Sequence, residues 1–229
     1  MSEPIDKWLN TRLCEIEKLL ESKKLPRAKR SVRSAVNDLK RRLNAAKSGN
    51  AELANKLFYY AVFLRGIYDF VKLCELTKHT NNDVSSKTVE KVWTTLCDCQ
   101  DRVGYCTPNM RGRMLERINE QLNALQKNIY DKFGPGLYVS PEIISNGMIC
   151  SICNQDNRSC EHISGRLYNG TMCVLSHNNP RLVASALTER PYDRRCRIWP
   201  WQVNNSGFGE VLLTSFFRLD DFAESDDWK

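Results

Sequence analysis

Apolar positions recur at helical spacing through the first 133 residues and then change rhythm. Ile5, Leu9, Leu13, Ile16 and Leu20 give one apolar face and predict a first helix. Pro26 suits the first turn of a second helix, where a missing N–H costs nothing, and Val32, Val36, Leu39 and Leu43 line one side of it. Ser48-Gly49-Asn50 stops that helix and offers a cap for the next. From Ala51 to about Leu76 the segment is apolar nearly all round (Leu53, Leu57, Phe58, Ala61, Val62, Phe63, Ile67, Phe70, Val71), as the buried centre of a bundle would be. After a polar turn at Thr80-Asn81-Asn82-Asp83, a fourth helix is marked by Val89, Val92, Trp93 and Leu96. Thr107-Pro108 reads as the start of a fifth, whose narrow seam is Met114, Ile118, Leu122, Leu125 and Ile129. Gly134-Pro135-Gly136 ends it.

Beyond that point short apolar runs (Leu137 to Val139, Leu182 to Leu187, Val203, Val211 to Phe217) alternate with Asn-, Gly- and Pro-rich turns, a strand-and-loop texture. The expected architecture is α+β. Residues 1–135 form a helical bundle, and 136–229 form a small strand-and-loop domain that ends in an acidic tail, Asp220, Asp221, Glu224, Asp226 and Asp227. Short strands with so many turns bury little apolar area, and a domain of this kind needs a staple.

Cysteine spacing supplies one. Cys150-Ser-Ile-Cys153 sets two thiols across a tight turn, and Cys160-Glu-His162 follows six residues later. In an extended segment residues i and i+2 point to the same side, so both can reach one metal. Three sulfurs and an imidazole complete a closed tetrahedral shell, which reads as structural zinc, with Cys173 as an alternative fourth ligand. Of the ten cysteines, Cys14, Cys74 and Cys97 are placed on apolar helix faces as small hydrophobes. His79 and His177 stand alone.

Asp156, Gly165, Tyr168-Asn169-Gly170 and Cys173 surround these ligands. Together they resemble a small Cys-rich zinc module of uncharacterised bacterial and phage-associated proteins, over about 25 of the 229 residues. The segment from Leu187 to Ile198 resembles a continuation of it, and Asn154 departs from it where a glycine is expected. The resemblance implies a structural metal and a bacterial defence or mobile-element setting, and it implies no activity.

Charge is unevenly placed. Ten Lys or Arg lie between Lys23 and Lys47 against one acid, Asp38, so that segment carries +9 while the chain as a whole carries +7. Arg27, Arg30, Arg33, Lys40 and Arg41 on this helix are the candidate contacts to nucleic acid. A second basic strip, Arg194-Arg195-Cys196-Arg197, precedes Trp199 and Trp201; arginines can bind phosphates and exposed tryptophans stack on bases, but at strand spacing the two are expected to bury a face against the zinc domain.

No catalytic residues are assigned, since the chain has no phosphate-loop, dinucleotide, nucleophile-elbow or HExxH motif and only three histidines. Glu161 lies between two proposed ligands of a closed shell, where zinc cannot activate water. The reading is therefore a non-catalytic binding protein whose partner is nucleic acid. A protein–protein adaptor docking through the bundle is the alternative, and a hydrolase or nuclease with a scattered site is the third. A small-molecule substrate is not expected. No stretch reaches the roughly 18 to 20 apolar residues of a membrane span, and the start MSEPIDKWLN lacks signal-peptide character, so the expectation is a cytoplasmic protein without membrane contact.

Overall fold

The computed structural model describes residues 4–78 and 85–200. Five helices come first: α1 (Ile5–Glu21), α2 (Leu25–Ala46), α3 (Ala51–Lys78), α4 (Ser86–Cys106) and α5 (Arg113–Phe133). Seven short strands follow: β1 (Leu137–Ile144), β2 (Met148–Cys150), β3 (Leu167–Tyr168), β4 (Thr171–Met172), β5 (Leu175–His177), β6 (Arg181–Thr188) and β7 (Arg197–Ile198). They make an antiparallel sheet in the order β6-β1-β7 and two two-stranded ribbons, β2-β5 and β3-β4. The α+β expectation holds. Among the described residues no helix is long and apolar enough to cross a membrane.

The described chain divides into two compact units. One comprises residues 4–37, 60–78, 85–136 and 199–200, and the other 38–59 and 137–198. The strand-rich segment thus shares its unit with the end of α2 and the start of α3. The expected acidic tail, Trp201, Val203, the run from Val211 to Phe217, His79 and the turn from Thr80 to Asp83 lie outside the described residues.

In the helical unit the periodic positions are the core: Ile16, Leu20, Val32, Phe63, Ile67, Phe70, Val92, Trp93, Leu96, Ile118, Leu122 and Ile129 are all buried. α3 and α4 approach closely at Gly66, where an added Cβ would lie 2.9 Å from Cγ2 of Val103. The Cys99 thiol donates to the Gly66 carbonyl at 3.2 Å. Beside this contact Arg102 bonds Asp69, a carboxylate only 3% exposed. Burial pushes the Asp69 carboxyl above its usual range, and Arg102 and Arg65 partly offset that.

Three expectations need correction. Thr107 does not open α5: its amide and its hydroxyl both bond back to the Val103 carbonyl, the hydroxyl at 3.0 Å, so Thr107 closes α4 and α5 begins at Arg113. Cys14 lies on an exposed face, because the buried stripe of α1 is Trp8, Leu9, Ile16 and Leu20. Cys74 is half-buried, and Cys97 is buried as expected. Trp199, expected with the zinc domain, is buried in the helical unit, edge-on to Trp93 at 6.2 Å and to Phe133 at 5.6 Å. Four aromatic rings meet there, Tyr130 lying tilted 5.9 Å from Trp93.

Removing Arg102 tests the buried pair. Arg102→Ala should cost about 3 kcal/mol at neutral pH, because it leaves a buried carboxylate without its bonded partner and with only Arg65 to offset its charge. A carboxyl raised in the folded state is penalised where it is ionised, so the loss should shrink as pH falls and Asp69 takes up a proton. Urea denaturation at neutral and acidic pH, with Asp69→Asn added to Arg102→Ala to restore stability, checks both the size and the sign.

Candidate metal centre

The site is built from β2 onward. β2 pairs with β5 from Met148 opposite His177 to Cys150 opposite Leu175, which delivers Cys150 to the start of a tight turn. The amide of Asn154 donates to the Cys150 carbonyl at 2.9 Å, and the amide of Ile152 points at the Cys150 sulfur at 3.4 Å. Asn154 takes φ +59°. That is the left-handed conformation for which glycine is favoured and which asparagine tolerates, so the departure from the resembled module leaves the turn intact.

The chain then runs to Cys160 under the control of Asp156. Its carboxylate caps the short 3-10 turn Asn157–Ser159 through the Arg158 amide at 2.9 Å, and it also accepts two bonds from the Arg158 guanidinium at 2.9 and 2.8 Å. These bonds hold the Asp156 carboxyl down at about 2. Gly147 leaves the space that carboxylate needs, since a Cβ there would sit 2.7 Å from Oδ2 of Asp156.

Tyr168 positions the second pair. Its ring meets the His162 imidazole edge-on at 4.6 Å, and its hydroxyl accepts from the Ile163 amide at 2.9 Å. Cys173 follows β4 and is fixed through both backbone groups: its amide donates to the Arg166 carbonyl at 2.8 Å, and its carbonyl accepts from the Gly165 amide at 2.9 Å.

The result brings the expected ligands together. Cys150, Cys153, Cys160 and His162 each offer a donor atom, and these atoms all lie within 4.8 Å of one another, close enough to hold a metal ion. Nδ1 of His162 is buried and makes no hydrogen bond, as a lone pair reserved for a cation would be. Cys173 is 1% exposed, and its sulfur lies 3.7 Å from that of Cys150. Cys173 thus adjoins the four-donor cluster through Cys150. No family model matches this chain, and no curated protein or solved structure does.

The sulfurs of the cluster also act on one another. Burial alone raises the Cys150 thiol, but the amides of Cys153 and Ile152 and the thiols of Cys173 and Cys153 outweigh it and bring it down to about 6. Burial raises Cys173, and the neighbouring Cys150 raises it further. At Cys160 the backbone bond to His162 works the other way, but burial and the Cys150 and Cys153 sulfurs prevail and raise it. One thiol ionises readily and its neighbours then resist, which a bound cation would reverse.

Other candidates fall away from the centre. Glu161 is exposed, and Nδ1 of His177 lies 3.0 Å from the Ser145 hydroxyl. In the second basic strip Arg197 is buried and Arg195 bonds Asp193 at 2.9 Å, so its arginines are largely structural. On α2 the candidate contacts Arg27, Arg30, Arg33, Lys40 and Arg41 are all exposed; Arg41 bonds Asp38, and Arg33 donates to the Tyr68 hydroxyl at 2.9 Å.

Sequence reasoning noted Tyr168-Asn169-Gly170 but not its role. Asn169 and Gly170, at φ +50° and +68°, form the two-residue turn between β3 and β4, the pairing such hairpins favour. This turn docks on the α2–α3 connection. The Asn169 side-chain amide donates to the Lys47 carbonyl at 2.8 Å, the Gly170 amide to the Asn55 side chain at 2.7 Å, and Lys47 to the Thr171 hydroxyl at 3.0 Å. A Cβ on Gly170 would lie 2.5 Å from Cδ1 of Leu43 and 3.0 Å from the Ala54 carbonyl oxygen.

Gly170→Ala should therefore cost about 2 to 4 kcal/mol, adding an overpacked contact to a left-handed backbone. Gly165→Ala is the matched control: φ is +82° with no atom within 4 Å, so only the conformational cost of about 1 kcal/mol applies. Thermal melting of the two variants, read against the parent, separates docking from backbone strain.

Proposed function

We propose that this chain is a non-catalytic binding protein whose cysteine-rich segment is stapled by one structural zinc ion and whose basic helix α2 contacts nucleic acid. The observation that carries the zinc assignment is the convergence of three thiols and one imidazole within 4.8 Å, with Nδ1 of His162 buried and unbonded. Sulfur and imidazole donors suit zinc better than the oxygen-seeking calcium or magnesium. Bound there, the ion cross-links β2, the turn after it and the segment around Cys160. Cys150, Cys153, Cys160 and His162 are the ligands, and Cys173 donates its S–H to the Cys150 thiolate.

Purified protein should contain one zinc per chain, and chelation should expose Cys150, Cys153 and Cys160 to alkylation. Cys99 and Cys106, buried thiols raised respectively well above the usual range and to about 12, should stay unmodified while the helices remain folded. The 3.7 Å between Cys150 and Cys173 also matches the edge of a tetrahedral thiolate shell with Zn–S of about 2.3 Å. Paired substitutions therefore decide the fourth ligand. His162→Ala should lose the metal and Cys173→Ser should keep it, and the reverse result would reassign the shell.

Support for nucleic acid comes from α2, where Arg27, Arg30, Lys40 and Arg41 are exposed and Asp38 is the single acid of the segment. Binding to labelled duplex DNA, single-stranded DNA and RNA should weaken steeply with salt. The variant Arg27→Gln, Arg30→Gln, Lys40→Gln, Arg41→Gln should lower the slope of log K against log salt by about 3. Absence of binding at low salt would remove this reading.

A protein partner is the second reading, and one feature favours it. β6 is the edge of its sheet and is exposed along nearly all its length, with Leu182 64%, Val183 51% and Leu187 65% accessible. A long apolar edge of this kind is a template for a partner strand. Binding through it would tolerate salt that abolishes a phosphate contact.

A further inference from the structure

The helical unit carries a second basic feature that α2 alone does not reveal. Three cationic groups converge on one tyrosine. The Arg65 guanidinium lies 4.9 Å from the Tyr68 ring centroid, that of Arg33 lies 5.7 Å away, and the Lys29 ammonium 5.9 Å away. Arg33 also donates to the Tyr68 hydroxyl at 2.9 Å and, with Lys29 and Arg65, holds the phenol below its usual range.

The neighbouring face of α3 continues the pattern. Arg65, Tyr68, Lys72 and Glu75 recur at steps of three, four and three residues, which is one stripe of a helix. An open cleft of about 350 Å3 follows, lined by Lys29, Lys72, Lys78 and Lys91, with Leu25, Pro26 and Leu76 as its apolar wall. Glu75 is the single acid in that lining, and it bonds Lys29. Asp69, near Arg65, is buried and already held by Arg102. Cations gathered so closely with so little negative charge repel one another, and a bound polyanion would relieve that repulsion.

We infer that this groove, from Arg65 and Tyr68 through Lys72 and Lys29 to Lys91, is a binding site for consecutive phosphate groups. The chemistry favours phosphate over a single carboxylate. Arginine forks and lysine heads gather around Tyr68 and line the cleft that shares Lys29 and Lys72, so they match an anion that carries several charges. The Tyr68 ring is flanked by cations and serves as their scaffold, so the groove reads phosphates and no base identity. The inference rests on the nucleic-acid reading only for its macromolecular ligand, the phosphate backbone of a single strand. A linear inorganic phosphate chain presents the same oxyanions.

The test uses the full chain and two probes, a short labelled single-stranded oligonucleotide and tripolyphosphate. Arg65→Gln with Lys72→Gln is compared with a charge-matched control, Lys18→Gln with Lys127→Gln, both exposed helix positions elsewhere. The groove variant should weaken both probes about tenfold or more while the control stays within about twofold. Equal affinities in the groove variant and the control would overturn the inference. Tripolyphosphate binding that depends on Arg65 and Lys72, with no binding of the oligonucleotide, would sustain the groove and remove the nucleic-acid reading. Oligonucleotide binding lost in the α2 variant but kept in the groove variant would do the opposite.

Discussion

Between Val139 and Cys196 the only buried residues are Cys150, Gly170 and Cys173. This is the constraint on which the second compact unit depends. A segment of nearly sixty residues with almost no apolar interior cannot offset its conformational entropy by hydrophobic burial. Two other devices replace the missing core. One is the convergence of sulfur and imidazole donors, close enough to hold a metal ion that would cross-link the segment. The other is borrowed apolar surface: Leu43 and Ala54, both buried, come from α2 and α3 within the same unit and lie against Gly170.

The two devices meet at the β3–β4 turn. Gly170 sits against Leu43 and Ala54 because it has no Cβ, and the same hairpin carries Tyr168 toward His162 and leads into Cys173. A turn residue with the needed backbone freedom therefore fixes the distance between a helical surface and the four-donor cluster. Asp156 and Arg158 play the corresponding part on the other side, where a short turn sets the spacing from Cys153 to Cys160.

What was legible in the chain follows from the range of each signal. Helix periodicity is local, so Ile16, Val92, Ile118 and Leu122 were identifiable as core from their spacing alone. Ligand spacing is also local, and Cys150, Cys153, Cys160 and His162 could be grouped without a structure. Thr107 misled because Thr-Pro suits either end of a helix, and the decision went to a hydroxyl that bonds backward to Val103. Trp199 misled for a different reason. Its partners, Trp93 and Phe133, lie far away in sequence, and no pattern within a strand can show that a neighbouring tryptophan belongs to another unit. The same limit hid the destination of residues 38–59, which read as ordinary helix.

The basic stripe of α3 illustrates the limit most clearly. From Ala51 to Lys78 the helix is apolar on so many sides that its periodicity nearly vanishes, and its few charged positions look incidental. Yet Arg65, Tyr68 and Lys72 share one strip of this helix and stay accessible on it. Here the strip begins with Arg65, Tyr68 and Lys72 and is flanked by Lys29 and Arg33 of α2. Cations on a fully solvated helix are dispersed by water and salt, whereas these are gathered around one ring by the packing of two helices. The packing of α2 beside α3 thus also gathers positive charge around Tyr68.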